Sequence, residues 1–205
     1  MKRYGIIGGT FDPIHYGHLM ISEIIREEMD LEKIIFIPTG NPPHKNDILS
    51  ADVRFEMTNI AVKSNKYFTV SDIESKKKFV SYSVDTVTEL SQIIDGKLYF
   101  IIGSDTLFQL KTWKKFEELA KIVEFVVAMR PSYMSTKLLE LELDYLSFKY
   151  EAKINVVEIP LYEISSTLIR NRLALGQSVK YLIPDELIEF IEEKGLYKTN
   201  GRSKK

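Results

Sequence analysis

Short runs of apolar residues recur along the chain, with helical spacing between them. Arg3 to Gly8 ("RYGIIG") is an apolar run of strand length that stops at a glycine pair, and Lys33 to Pro38 ("KIIFIP") repeats the pattern. Between them, "HLMISEIIREEM" puts Met20, Ile21, Ile24 and Ile25 at the three-and-four spacing of one helix face. A helix is expected over Arg54 to Val62, then a strand near "YFTVSDI". In "SVDTVTELSQII" the residues Val84, Val87, Leu90 and Ile94 share a face, with Ser83 as the expected N-cap. Lys97 to Asp105 ("KLYFIIGSD") is the clearest strand. "KKFEELA" reads as a helix, Ile122 to Pro131 ("IVEFVVAMRP") and "KINVVEIP" as strands, and two helices close the chain. The last, "PDELIEFIEEKG", has Pro184 in its first turn and Gly195 at its end.

Strands alternating with helices in this way predict an α/β fold, a mainly parallel, doubly wound sheet with helices on both faces. A small C-terminal helical extension completes it. In such sheets ligands bind beyond the carboxyl ends of the strands. That rule selects Gly8 to His18, Thr39 to Lys45, Gly103 to Asp105, and Arg130, all directly after expected strands. "NPPHKND" (Asn41 to Asp47) is a loop, because its two prolines continue neither element. Residues 1–198 are expected to form one domain, and the basic stretch 199–205 a frayed tail.

Composition narrows the function classes. With 28 Lys+Arg against 29 Asp+Glu the net charge is -1, which argues against a nucleic-acid partner or a membrane surface. Zero cysteines exclude disulfides, thiolate metal sites and cysteine nucleophiles. No apolar run approaches the roughly 20 residues of a membrane span. The chain reads as a soluble cytoplasmic protein.

Of only three histidines, His15 and His18 stand three residues apart in "GGTFDPIHYGH". Gly8 and Gly9 allow a sharp turn and close approach of a ligand, and Thr10 adds a hydroxyl. A helix beginning near Tyr16 would offer unpaired N–H groups to an anion, with both imidazoles beside it. The bland alternative is a pair of polar surface histidines. A zinc pair would need carboxylates to complete it, since only His44 remains. The glycine turn favours the anion site, although the string is neither a GxGxxG nor a Walker motif. In "EISSTLIRNRL", Ser165, Ser166 and Thr167 crowd an expected helix start with Arg170 one turn on. That pattern suits a plain N-cap and a second anion cradle equally. Lys45 reads as a solvated charge or a phosphate ligand, and Trp113 as a rim aromatic or a stacking face. Lys76 to Lys78 read as a solvated loop.

"GGTFDPIHYGH" resembles the signature of the HxGH nucleotidylyltransferase superfamily, and within it the bacterial nicotinate-mononucleotide adenylyltransferases. "PPHK" (Pro42 to Lys45), "SYSVDT" (Ser81 to Thr86), "GSDTLFQLKTW" (Gly103 to Trp113) and "ISSTLIR" (Ile164 to Arg170) match its further motifs in order. "PPHK" and the spaced tryptophan narrow the resemblance to the pyridine-nucleotide branch. It implies a Rossmann-like domain that joins ATP to nicotinate mononucleotide, giving nicotinate adenine dinucleotide and pyrophosphate, with Mg2+ arriving on the ATP. It implies that His15, His18, Lys45 and Arg170 stabilise the reacting phosphates. Gly8, Gly9, Thr10 and Phe11 would frame both nucleotides. Gly103, Asp105 and Arg130, with Ile164, Ser165, Ser166 and Thr167, would serve ATP; Ser83, Thr86 and Trp113 would serve the nicotinate side. Ser83 stands where the family more often has threonine, which retains a hydroxyl. Small homo-oligomers are frequent in the family. Three rival readings remain: an adenylyltransferase for the amidated mononucleotide or another phosphate acceptor, a non-catalytic nucleotide-binding domain, and a class I aminoacyl-tRNA synthetase core. For the last, the chain is too short and too neutral.

Overall fold

A computed structural model describes residues 1–40, 48–77, 79–129 and 136–198. In chain order the elements are β1 (Arg3–Gly9), α1 (Tyr16–Glu28), β2 (Lys33–Pro38), α2 (Ala51–Val62), β3 (Phe68–Val70), α3 (Ser83–Ile93), β4 (Lys97–Gly103) and α4 (Ser104–Leu107). There follow α5 (Phe116–Ile122), β5 (Glu124–Met129), α6 (Thr136–Tyr150), β6 (Ile154–Glu158), α7 (Ser166–Ala174) and α8 (Asp185–Glu193). The six strands lie in the order β3-β2-β1-β4-β5-β6. Every pairing is parallel.

The central strands are apolar along their whole length because both faces are covered. Alternation along β4 sends Tyr99 and Ile101 to one core and Leu98, Phe100 and Ile102 to the other. The first core, under α1, α2, α7 and α8, includes Phe36, Met57, Ile169, Leu187 and Ile191. The second, under α3, α5 and α6, includes Val87, Leu107, Phe116, Leu119 and Leu146. The C-terminal helices therefore bury apolar side chains in the same core as the sheet.

The chain winds from β1 outward to β3, then returns past β1 to β4 and winds the other way. Connections leaving β1 and β4 diverge, so a crevice opens between their carboxyl ends, the place where doubly wound sheets bind ligands.

Two local expectations are corrected. Tyr82, in extended conformation, is the N-cap of α3 and makes no side-chain cap bond, so Ser83 is the first helical residue. Pro184 is likewise the N-cap of α8 and not part of its first turn. Helix α6 is not announced by its pattern: Leu139, Leu141 and Leu143 alternate with Glu140 and Glu142, a period of two that mimics a strand. No helix among the described residues is long and apolar enough to cross a membrane.

Candidate active site

The site begins with the turn between β1 and α1. Phe11 adopts a left-handed φ of 49° and folds its ring back over Gly9. A Cβ on Gly9 would come within 2.6 Å of that ring, so the position requires glycine. The Phe11 ring then meets His18 edge-on, with centroids 5.1 Å apart. His15 is the N-cap of α1, and its ring stacks on His18 at 3.7 Å. Gly17 makes room for this, because a Cβ there would lie 3.0 Å from His15 Nδ1. Spacing of three brings the imidazoles together through ring stacking over a glycine.

The backbone N–H of His15 donates to His18 Nδ1 at 3.3 Å. With Nδ1 accepting, the neutral ring carries its proton on Nε2, so His18 presents an N–H donor. Burial, and then the neighbouring His15, hold the His18 imidazole well below its ordinary value near 6.5. At neutral pH it is an uncharged donor.

His18 stands on the wall of a cleft of about 440 Å³, a size suited to a small-molecule site. The strand ends supply Gly8, Gly9 and Thr10 from β1, Thr39 after β2 and Gly103 from β4. Ser83, Thr86, Glu74, Thr106 and Trp113 line the rest with apolar residues of the sheet. Trp113 meets Phe100 edge-on at 5.7 Å, which holds the indole upright at the cleft wall. The amides of Ser83 and Val84 head α3 and have no carbonyl of their own helix to donate to, so this wall carries partial positive charge.

The mouth of α7 docks directly behind the histidine turn. Ser166 Oγ donates to the Pro13 carbonyl at 2.8 Å, and Arg170 Nη1 donates to the Asp12 carbonyl at 2.7 Å. Ser165 caps the helix by accepting from the Leu168 N–H at 3.2 Å, and Thr167 Oγ1 accepts from Arg170 Nη2 at 3.3 Å. Ile164 packs 3.7 Å from where a Cβ on Gly17 would begin. The glycine turn and the hydroxyl-rich helix are thus in contact. Asp105 lies exposed in α4 and does not line the cleft. Lys45 and Arg130 lie outside the described residues.

Three residues of the site's surroundings were not singled out by sequence reasoning. Arg54 is fully buried and donates to the carbonyls of Thr10 at 2.7 Å, Gly40 at 2.7 Å and Leu49 at 2.9 Å. It ties the β1 turn to the end of β2. Glu74, also buried, accepts from Thr86 Oγ1 at 2.7 Å on the cleft wall. Burial pushes its carboxyl upward, against the pull of the Thr86 hydroxyl, the Gly40 N–H and Lys77. Tyr197 Oη donates to Asp12 Oδ1 at 2.5 Å. Each is a single polar residue in its stretch, and only the tertiary fold buries it. Of the expected solvated loop, Lys77 is half-buried and paired with Glu89 at 2.7 Å, Lys76 does lie in solvent, and Lys78 lies outside the described residues.

A parallel sheet with a glycine turn, a histidine pair and a cationic helix mouth at its switch point defines a nucleotide-transferring α/β protein. The family model described as cytidylyltransferase-like matches residues 6–172. A probable nicotinate-nucleotide adenylyltransferase of Desulfitobacterium hafniense is 43% identical over 201 residues, covering 96% of each chain. One from Thermoanaerobacter sp. is 43% identical over 200 residues, 96% of this chain and 94% of that one. The chain belongs to the nicotinate-nucleotide adenylyltransferase family. Its fold matches the Plasmodium falciparum nicotinic acid mononucleotide adenylyltransferase complexed with NaAD, with a TM-score of 0.80 at 22% identity over 98% of this chain and 99% of that one.

Proposed function

We propose that the protein transfers the AMP moiety of ATP to nicotinate mononucleotide, forming nicotinate adenine dinucleotide and releasing pyrophosphate. The observation that carries this reading is the docking of the α7 mouth onto the His15–His18 turn, beside a cleft whose other wall is Trp113 and the head of α3.

An oxygen of the mononucleotide's 5'-phosphate attacks the α-phosphorus of ATP, and the bridging bond to the β-phosphate breaks in line. The nucleophile is already anionic at neutral pH, so no base is needed. Catalysis reduces to holding two anions together and stabilising the charge that gathers on the α-phosphate oxygens and the leaving group. His18 donates from Nε2 to the α-phosphate, with His15 fixing its ring from behind. Arg170, and Lys45 from the loop, offset the β- and γ-phosphate charge. Gly8, Gly9, Thr10 and Phe11 frame the phosphates. Gly103 and Arg130, with Ile164, Ser165, Ser166 and Thr167, serve ATP, while Asp105, exposed beyond the cleft, would reach it only from the rim.

On the acceptor side Trp113 offers a flat face to the pyridine ring. Ser83 and the free amides at the head of α3 suit a carboxylate, because they are donors at a positive helix end; Thr86, whose hydroxyl donates to Glu74, lines the same wall. That observation favours the acid over the amide. The phosphate-facing groups are donors to anions and not ligands of a cation, which suits a metal that arrives on its substrate. Mg2+ bound to the ATP phosphates would offset their charge while keeping most of its waters.

Pyrophosphate release from ATP, measured side by side with nicotinate mononucleotide and nicotinamide mononucleotide, tests the reading. Faster turnover with the acid is expected. Silence with both would redirect the assignment to another phosphate acceptor.

A further inference from the structure

The histidine turn is held by four side chains, Arg54, Ser166, Arg170 and Tyr197, and the last comes from the far end of the sequence. Helix α8 ends in a Schellman cap: Gly195 is left-handed at φ 62°, its N–H donates to the Glu192 carbonyl, and the Leu196 N–H donates to the Ile191 carbonyl. This turns the chain back so that Tyr197 drops its ring into the first core against Met57. Its hydroxyl then donates to Asp12 Oδ1 at 2.5 Å, across 185 residues. Tyr197 itself has a φ of 60°, a left-handed conformation that a bulky side chain resists and that tertiary contacts must hold.

Asp12 is 2% exposed, and its second carboxylate oxygen, Oδ2, has no hydrogen-bond partner. Among the described residues the phenol is the one hydrogen-bond donor to this carboxylate, with the Arg54 guanidinium as a nearby charge and that of Arg170 close to the phenol itself. The same residue's carbonyl is the anchor of Arg170 Nη1. We propose that Tyr197 is a positioning residue of the reaction: by fixing the Asp12 side chain it fixes the peptide on which Arg170 hangs, and so sets where that guanidinium meets the polyphosphate. Burial and the Asp12 carboxylate raise the phenol far above its ordinary value, so it remains a donor throughout the working pH range. Tyr197 touches no substrate and acts through Asp12 and Arg170.

The inference rests on the adenylyl transfer proposed above. Tyr197→Phe keeps the ring and removes only the hydroxyl. Its turnover, per folded molecule, is expected to fall roughly tenfold, the scale of a modest misplacement of a catalytic group. The KM for the mononucleotide, bound at the far end of the cleft, is expected to stay within about twofold. In an Arg170→Lys background the same substitution should cost no further turnover, because the guanidinium it positions is gone. Met57→Leu removes the thioether sulfur that lies 3.8 Å from the phenol oxygen and disturbs the packing there, while leaving the hydrogen bond to Asp12 in place. It should lower Tm and leave turnover unchanged.

Wild-type turnover in Tyr197→Phe, losses that multiply with Arg170→Lys, or an equal turnover loss in Met57→Leu would each overturn the proposal. A wild-type protein inactive with both mononucleotides would overturn the function as well. An active wild type with an unaffected Tyr197→Phe sinks this inference alone.

Discussion

Arg170 Nη1 donates to the backbone carbonyl of Asp12 at 2.7 Å, although 158 residues separate them. The contact joins the glycine turn and the mouth of α7 into one wall, with the histidines on one side and the hydroxyls of α7 on the other. It also uses only part of the guanidinium, whose five N–H groups allow it to face phosphate while anchored.

In the proposed mechanism, replacing His18 by alanine removes a donor to charge that develops only in the transition state. Turnover is expected to fall by roughly 10²–10³, as for a lost oxyanion donor. The KM for ATP should change far less, because the ground-state phosphates keep their other partners. Steady-state kinetics with both substrates varied checks this, and near-normal turnover would remove His18 from the proposed role.

The depressed His18 value makes a second, signed prediction. In the free protein burial and His15 keep the imidazole neutral. Bound polyphosphate favours the charged form, so ATP binding near pH 6 should take up protons. Calorimetry in two buffers of different ionisation enthalpy reads this directly, and His18→Gln should take up fewer. For folding the sign is the opposite of a paired histidine's. The stability this group contributes is present above its unfolded value near 6.5 and is lost as pH falls toward the lower folded value.

Arg54 is expected to be a stability residue before it is an activity residue. Arg54→Met fills much of the volume but strands buried carbonyls of Thr10, Gly40 and Leu49. A loss of about 2–4 kcal/mol in urea unfolding is expected, since each unsatisfied buried acceptor costs about 1–3 kcal/mol and local relaxation recovers part. A loss below about 0.5 kcal/mol would mean that the three bonds do not hold the turn.

Glu74 carries the converse pH signature. Its folded carboxyl is raised by burial, so the stability it contributes is complete below its unfolded value near 4.5 and is lost as pH rises through the raised one. Glu74→Gln retains an acceptor for Thr86 and cannot ionise. The difference in urea midpoint between the two proteins should therefore grow in the variant's favour from pH 4.5 upward. A pH-independent difference would contradict the burial of an ionisable group there.

Much of the fold is legible because parallel strands covered on both faces must be apolar throughout. "KIIFIP" and "KLYFIIG" declare themselves for that reason, as β2 and β4. Helix α6 does not, since its alternating Leu and Glu suit either period and only Leu146 among its described side chains is fully buried. The histidine turn is legible through local chemistry: glycine, proline and paired imidazoles within a few residues. Glu74, Arg54 and Tyr197 are single polar residues whose meaning lies in what the fold presses against them.

By itself, then, the order of residues determined the alternation of elements, the glycine turn, the stacked histidine spacing and the hydroxyl-rich helix start, because each depends on neighbours within a turn or a strand. The tertiary structure alone decided that the glycine turn and the mouth of α7 meet, that Arg54 and Glu74 are buried, and that a tyrosine near the end of the sequence closes on an aspartate near its beginning. Those relations span tens to hundreds of residues, and they exist only once the sheet has been wound in both directions from β1.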